Sequence, residues 1–145
     1  MSELARRFAL AAQACTGSPF RLHGRDRETG VDCIGLVLVA LAECGIALPA
    51  FEGYGLRNTQ LSRFARLAAD SGLIRFTGAP VPGDILVFRP SPAQAHLAVV
   101  TVTGGLVHAH AGLRRVVTQS SPCAWPRLDQ WRIGPELENS WPPSS

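Results

Sequence analysis

The sequence predicts an α+β fold, with a central helix packed on one face of an antiparallel β-sheet. Three observations predict it. Helical patterns come first, up to about residue 71, and strand-like runs come after. The strand-like runs follow one another as a meander, joined by short Gly- and Pro-bearing turns. The segment "CIGLVLVALAEC" is apolar nearly all round, which places that helix inside the molecule.

The elements follow in order. Residues 3 to 15 carry an amphipathic helical pattern, and "TGSPFRLHGRDRETG" reads as a loop because Gly, Pro and mixed charges interrupt every period. Asp32 suits a helix N-cap, with helix from residue 33 to about 44 and Gly45 as its C′ stop. "ALPAFEGYGLRNTQ" reads as a loop and residues 60 to 71 as a further helix. "GAPVPGD" makes a turn into the strand "DILVF"; Asp84 is expected to serve that turn. "HLAVVTV" is a second strand, "GLVHAHA" a third across the Gly104-Gly105 turn, and "RRVVTQ" a fourth. Residues 131 to 133 are expected to add a short edge strand. Residues 1 to 134 form one domain, and the tail "GPELENSWPPSS" has little means of burying itself.

Composition narrows the class. With 145 residues, 46% hydrophobic and 17% charged, the chain can build one real core. All 14 basic residues are arginine, which we ascribe to genome bias. The net charge is +3 and the arginines are scattered apart from pairs such as Arg6-Arg7 and Arg114-Arg115. That pattern argues against a nucleic-acid surface. The first residues lack the n-region, h-region and cleavage site of a secretory signal, and the longest apolar stretch is about half a membrane span. The expectation is a chain made in the cytoplasm without a signal peptide and with no membrane insertion. The cysteines, Cys15, Cys33, Cys44 and Cys123, match no zinc or haem spacing, so no metal and no cofactor is expected. Three of them read as small buried hydrophobes in a reduced chain.

Cys33 is the exception. A cysteine nucleophile needs a lowered pKa, a base within reach, and a group that orients the base. The first position of a helix favours thiolate, whereas the adjacent Asp32 carboxylate disfavours a second anion. The conflict resolves if Asp32 turns back to cap the helix amides. The base must come from His23, His96, His108 or His110. His96 opens one strand and His108 lies on the next, so the two can be neighbours. His108 and His110 share a face, and periodicity alone does not choose between them.

The blocks "GVDCIGLV", "GDILVF", "HLAVV" and "GGLVHAHAG" resemble, in order, the motifs of the NlpC (p-sixty) family of papain-like cysteine peptidases. The resemblance covers roughly residues 17 to 117 and implies a papain-like fold in which Cys33 is the nucleophile, His96 the general base and His108 the orienting residue. Gly35 matches the family's small residue after the nucleophile, where a side chain could crowd the substrate. His110 falls outside the motif and becomes a neighbour. The implied reaction is cleavage of peptide bonds in peptidoglycan stem peptides, often between D-glutamate and a diamino acid. One departure stands out. Many members carry tyrosine in a P-Y-R-x-G-G segment, where this chain has "PFRLHG", with Phe20 for the tyrosine and His23 for the first glycine. We expect His23 to supply a replacement polar contact, and Arg21 and Arg25 to flank the cleft and meet substrate carboxylates.

A narrower resemblance, carried by "GDILVFR", "AHLAVV" and "CAWPRL", is to the cell-wall peptidases of phage tails and gene transfer agents. It implies other phage-like tail proteins as partners, incorporation in a particle tail, and action at the wall of a recipient cell. Two other readings stand beside this one. The first is a structural tail protein that kept the peptidase fold and lost catalysis, for which Phe20 is the best support. The second is a metal site built from Cys33, His96, His108 and His110.

Overall fold

The computed structural model describes residues 2–47, 61–92, 94–120 and 125–142. Helix α1 (Glu3–Ala14) starts where the Ser2 hydroxyl accepts the Ala5 N–H, and it buries Leu4, Phe8 and Ala12 along one stripe. Strands β1 (Arg25–Asp26) and β2 (Gly30–Val31) pair as a small ribbon. Helix α2 (Cys33–Glu43) follows at once, capped by Asp32. Its end has the geometry expected for a glycine stop. Gly45, at φ +83°, donates to the Ala42 carbonyl and Ile46 donates to that of Leu41. Helix α3 (Leu61–Asp70) leads to β3 (Leu73–Arg75).

The sheet continues with β4 (Ile85–Phe88), β5 (His96–Val100), β6 (Leu106–His110), β7 (Arg115–Gln119) and β8 (Arg127–Ile133), and α4 (Pro135–Ser140) closes the order. The spatial order is β3-β8-β4-β5-β6-β7, antiparallel throughout. Helix α2 lies between α1 and strands β5 and β6. Its Ile34, Leu36, Val37 and Leu41 share one core with Leu97, Val99 and Val107 of the sheet. The α+β expectation and the position of the cysteine-bearing helix therefore hold. Cys15 and Cys44 are buried, as small hydrophobes should be. Among the described residues no helix is long and apolar enough to cross a membrane.

Three expectations need correction. The strand expected at 131 to 133 as an edge is seven residues long and lies inside the sheet, between β3 and β4. The clamp is Asp84, which is fully buried. It accepts from Val81 N–H in the expected turn, and also from Gln130 Nε2 at 2.8 Å and from Arg132 Nε and Nη2 at 2.8 and 2.9 Å. The tail also docks. Leu137 and Trp141 pack on the core, and the Trp141 indole N–H donates to the Cys44 carbonyl at 2.9 Å. Two apolar side chains thus anchor the described part of the tail, residues 135–142. The β1–β2 ribbon and β3 were not expected, because elements of two or three residues show no period. Residues 48–60, expected as a loop, and Cys123 lie outside the described residues.

Candidate active site

The site begins at the Asp32–Cys33 step. Asp32 is 2% exposed, and its side chain turns back onto main-chain amides. One carboxylate oxygen accepts the Gly35 N–H at 2.7 Å and faces Arg25 Nη1 at 3.3 Å. The other accepts the His23 N–H at 2.8 Å. This is the capping arrangement that frees Cys33 to occupy the first helical turn with its sulfur toward the cleft. The cleft encloses about 190 Å³, and Cys33, His96, His110, Phe20 and Trp125 are among its lining residues.

The histidines form a chain. His96 Nε2 lies 2.8 Å from His108 Nδ1, with the rings edge to face. His108 Nε2 in turn lies 2.6 Å from Gln119 Oε1. Continuing the register of Val99 opposite Val107 would set His96 opposite His110. Recorded pairing stops at Val99, however, and the His96 side chain leans diagonally to His108. This diagonal contact settles the choice that periodicity left open. His110 lines the cleft instead, and its Nδ1 accepts the Leu113 N–H at 3.0 Å. Trp125 stands edge-on to His96 at 5.2 Å and shields the ring from bulk water.

Burial sets the protonation states. It pushes the Cys33 thiol up to about 11, and the Asp32 carboxylate adds to the rise. The Leu97, Ile34 and Cys33 backbone amides near the sulfur pull the other way. Burial also pushes His96 down to about 3, helped by its two histidine neighbours, and lowers His108. The helix terminus was expected to lower the thiol pKa; desolvation outweighs it. The resting pair is therefore a neutral thiol and a neutral imidazole. Since His96 Nε2 is engaged by His108, Nδ1 is the ring atom left for the thiol. Among the described residues no hydrogen bond joins Cys33 Sγ to an imidazole; Cys33 and His96 are both lining residues of one cleft.

The remaining expected residues fall in different places. Phe20 lines the cleft, held there because Pro19 bridges to β7 and Phe20 to β2, with Phe20 N–H donating to the Arg114 carbonyl. His23 is exposed and is not among the cleft-lining residues; the group it sends to the site is its main-chain N–H, at φ +61°. Arg21 is exposed and outside the lining, and Arg25 is engaged with Asp32 and the Gly24 carbonyl. A Cβ at Gly35 would collide with the Gly24 carbonyl oxygen, so packing against that loop requires glycine at this position. Sequence reading missed Gln119 and the role of Trp125. A hairpin register drawn through His110 and Arg115 would have brought residue 119 near His108. Among the described residues no group of three or more His, Cys, Asp or Glu side chains is placed to hold a metal.

A cysteine at the head of a buried helix, facing a histidine pair on an antiparallel sheet, defines a papain-like arrangement. The sequence matches the NlpC/P60 family over residues 17–127, and the chain belongs to that family, whose members are cysteine peptidases and peptidoglycan hydrolases. Solved structures agree on the fold. NlpC2 from Trichomonas vaginalis is 20% identical with a TM-score of 0.68, over 90% of this chain and 46% of that one. The NlpC/p60 domain of the peptidoglycan hydrolase SagA is 20% identical with a TM-score of 0.53, over 80% and 88%. The P60 domain of the M. avium subspecies paratuberculosis antigen MAP1204 is 18% identical with a TM-score of 0.60, over 90% and 95%. The chain spans about half the length of the Trichomonas proteins NlpC1 and NlpC2. No curated protein matches.

Proposed function

We propose that this chain hydrolyses amide bonds in peptidoglycan stem peptides, near the D-glutamyl–diamino acid linkage, with Cys33 as nucleophile, His96 as base and His108 as the orienting residue. One observation carries the reading: the His96–His108 pair is hydrogen bonded at 2.8 Å, and His96 and Cys33 line the same cleft. Both reacting groups start neutral, so the proton passes from Sγ to His96 Nδ1 as sulfur adds to the carbonyl carbon. The Cys33 backbone N–H donates to the oxyanion. His96, now imidazolium, gives the proton to the leaving amine, and the C–N bond breaks to leave a thioester. Water, deprotonated by His96, then releases the acid and restores the thiol.

Digestion of purified peptidoglycan by the wild type and by Cys33→Ala, with product masses read out, tests this. New amino termini with wild type alone are expected, and their masses identify the bond. No cleavage by a folded wild type would favour the structural protein that kept the fold. Delivery in a phage-like tail belongs to the same proposal and is supported by the segments "GDILVFR", "AHLAVV" and "CAWPRL". Mass spectrometry of purified particles should find the chain beside tail proteins, and particles lacking it would remove this part.

A further inference from the structure

We infer that Gln119 is the positioning residue that fixes the direction of the hydrogen-bond chain, so that His96 presents a lone pair rather than a proton to the thiol. The inference deepens the proposed Cys33–His96 chemistry and rests on it.

A neutral imidazole has one N–H and one lone pair, so each ring in a chain donates at one end and accepts at the other. Both rings are neutral near pH 7, because burial disfavours their charged forms. The chain from Gln119 Oε1 through His108 Nε2 and Nδ1 to His96 Nε2 therefore has two self-consistent polarities. With an acceptor facing His108, that ring is protonated on Nε2 and accepts at Nδ1 from the His96 Nε2–H. His96 Nδ1 then keeps its lone pair and can take the thiol proton. With a donor facing His108, every proton shifts along, His96 carries its hydrogen on Nδ1, and the base is blocked.

The atom presented at the end of the chain decides between these states, since a glutamine amide accepts through Oε1 and would donate through Nε2 if turned over. Orienting residue and base are both histidines, which tolerate either polarity, so the pair does not orient itself. Gln119 ends the chain with its amide oxygen at 2.6 Å. Strand register explains how it reaches. Gln119 pairs with Leu106 and Val117 with His108, so Gln119 shares the face of His108 and spans the diagonal with a long side chain. When His96 becomes imidazolium, the same oxygen anchors the chain that spreads its charge, and hydrogen bonds to charged groups are the stronger ones.

The test is the ring-nitrogen NMR spectrum of the full ¹⁵N-labelled chain near pH 7.5, read with hydrolysis of purified peptidoglycan. In the wild type both His96 and His108 should be protonated on Nε2. Gln119→Met keeps length and removes the acceptor; His96 should then lose its single tautomer, and kcat should fall about tenfold or more with KM little changed. Gln119→Glu keeps an acceptor and should restore the Nε2–H tautomer and most of kcat. A wild-type His96 protonated on Nδ1, or a folded Gln119→Met variant with both rings unchanged, would overturn the inference. If Gln119→Met does not fold, the wild-type and Gln119→Glu spectra decide, since Nδ1 protonation of His96 in either is fatal. Wild-type protein that cleaves nothing would sink the proposed function, while the nitrogen spectra would still decide the role of Gln119.

Discussion

Replacing Asp32 by alanine tests whether one buried carboxylate holds the turn that presents Cys33. The side chain is 2% exposed, and its partners include the Gly35 N–H, the His23 N–H and Arg25. Losing the helix cap costs about 1 kcal/mol. Losing the charge-assisted bond to His23 costs about 1.5 kcal/mol more. The Arg25 side chain, 32% exposed, turns to water, so its ion pair contributes no more than about 0.5 kcal/mol. The total is about 3 kcal/mol, or roughly 6–12 °C in Tm for a domain of this size. Urea unfolding followed by tryptophan fluorescence measures it, with the m-value as a control on the unfolded state. A loss below about 1 kcal/mol would show that the cap is not what fixes this turn. Asp32→Asn separates charge from capping. It keeps one acceptor, and because the carboxylate raises the Cys33 pKa, the thiol of this variant should titrate lower than the wild type.

Four further outcomes follow from the same geometry. Alkylation of Cys33 by iodoacetamide in the free protein should climb about tenfold per pH unit from neutrality with no plateau short of about 11; a plateau below pH 8 would mean that burial does not govern the thiol. His96 is lowered to about 3 when folded and titrates near 6.5 when unfolded, so the unfolded chain binds the extra proton. Stability should thus be full above pH 6.5 and fall on acidification toward pH 3, by up to about 1.4 kcal/mol per pH unit; calorimetry on His96→Ala should show a flatter acid limb, and an unchanged limb would count against the assignment. Gly35→Ala drives a Cβ into the Gly24 carbonyl and should cost about 3 kcal/mol in urea unfolding, whatever the substrate. His23→Gly removes a left-handed non-glycine backbone and should raise stability by about 0.5–1 kcal/mol in the same assay; a loss would show that the imidazole contributes more than its conformation costs.

Part of the fold and of the site is legible in the sequence because it depends on near neighbours. The Asp32 cap, the helix behind it and the Gly45 stop involve residues within a turn of each other, and their chemistry is written in their order. The α+β class follows from the same local patterns, since helical periods and strand runs occupy separate halves of the chain. The four family blocks likewise point to Cys33, His96 and His108 from position alone.

Other features depend on partners far apart along the chain. Asp84 reads as a turn residue until Gln130 and Arg132, 46 and 48 positions later, converge on it and draw β8 into the middle of the sheet. The docking of Trp141 on Cys44 joins residues 97 apart. In the site, tertiary structure made three decisions. A diagonal contact between β5 and β6 gave His96 to His108 rather than to His110, and the β6–β7 register brought Gln119 to the end of the chain. Burial then reversed the effect expected of the helix terminus on the Cys33 thiol. The physical reason is common to all three. Hydrogen-bond direction and desolvation are set by every atom packed around a group, and most of those atoms come from elsewhere in the sequence.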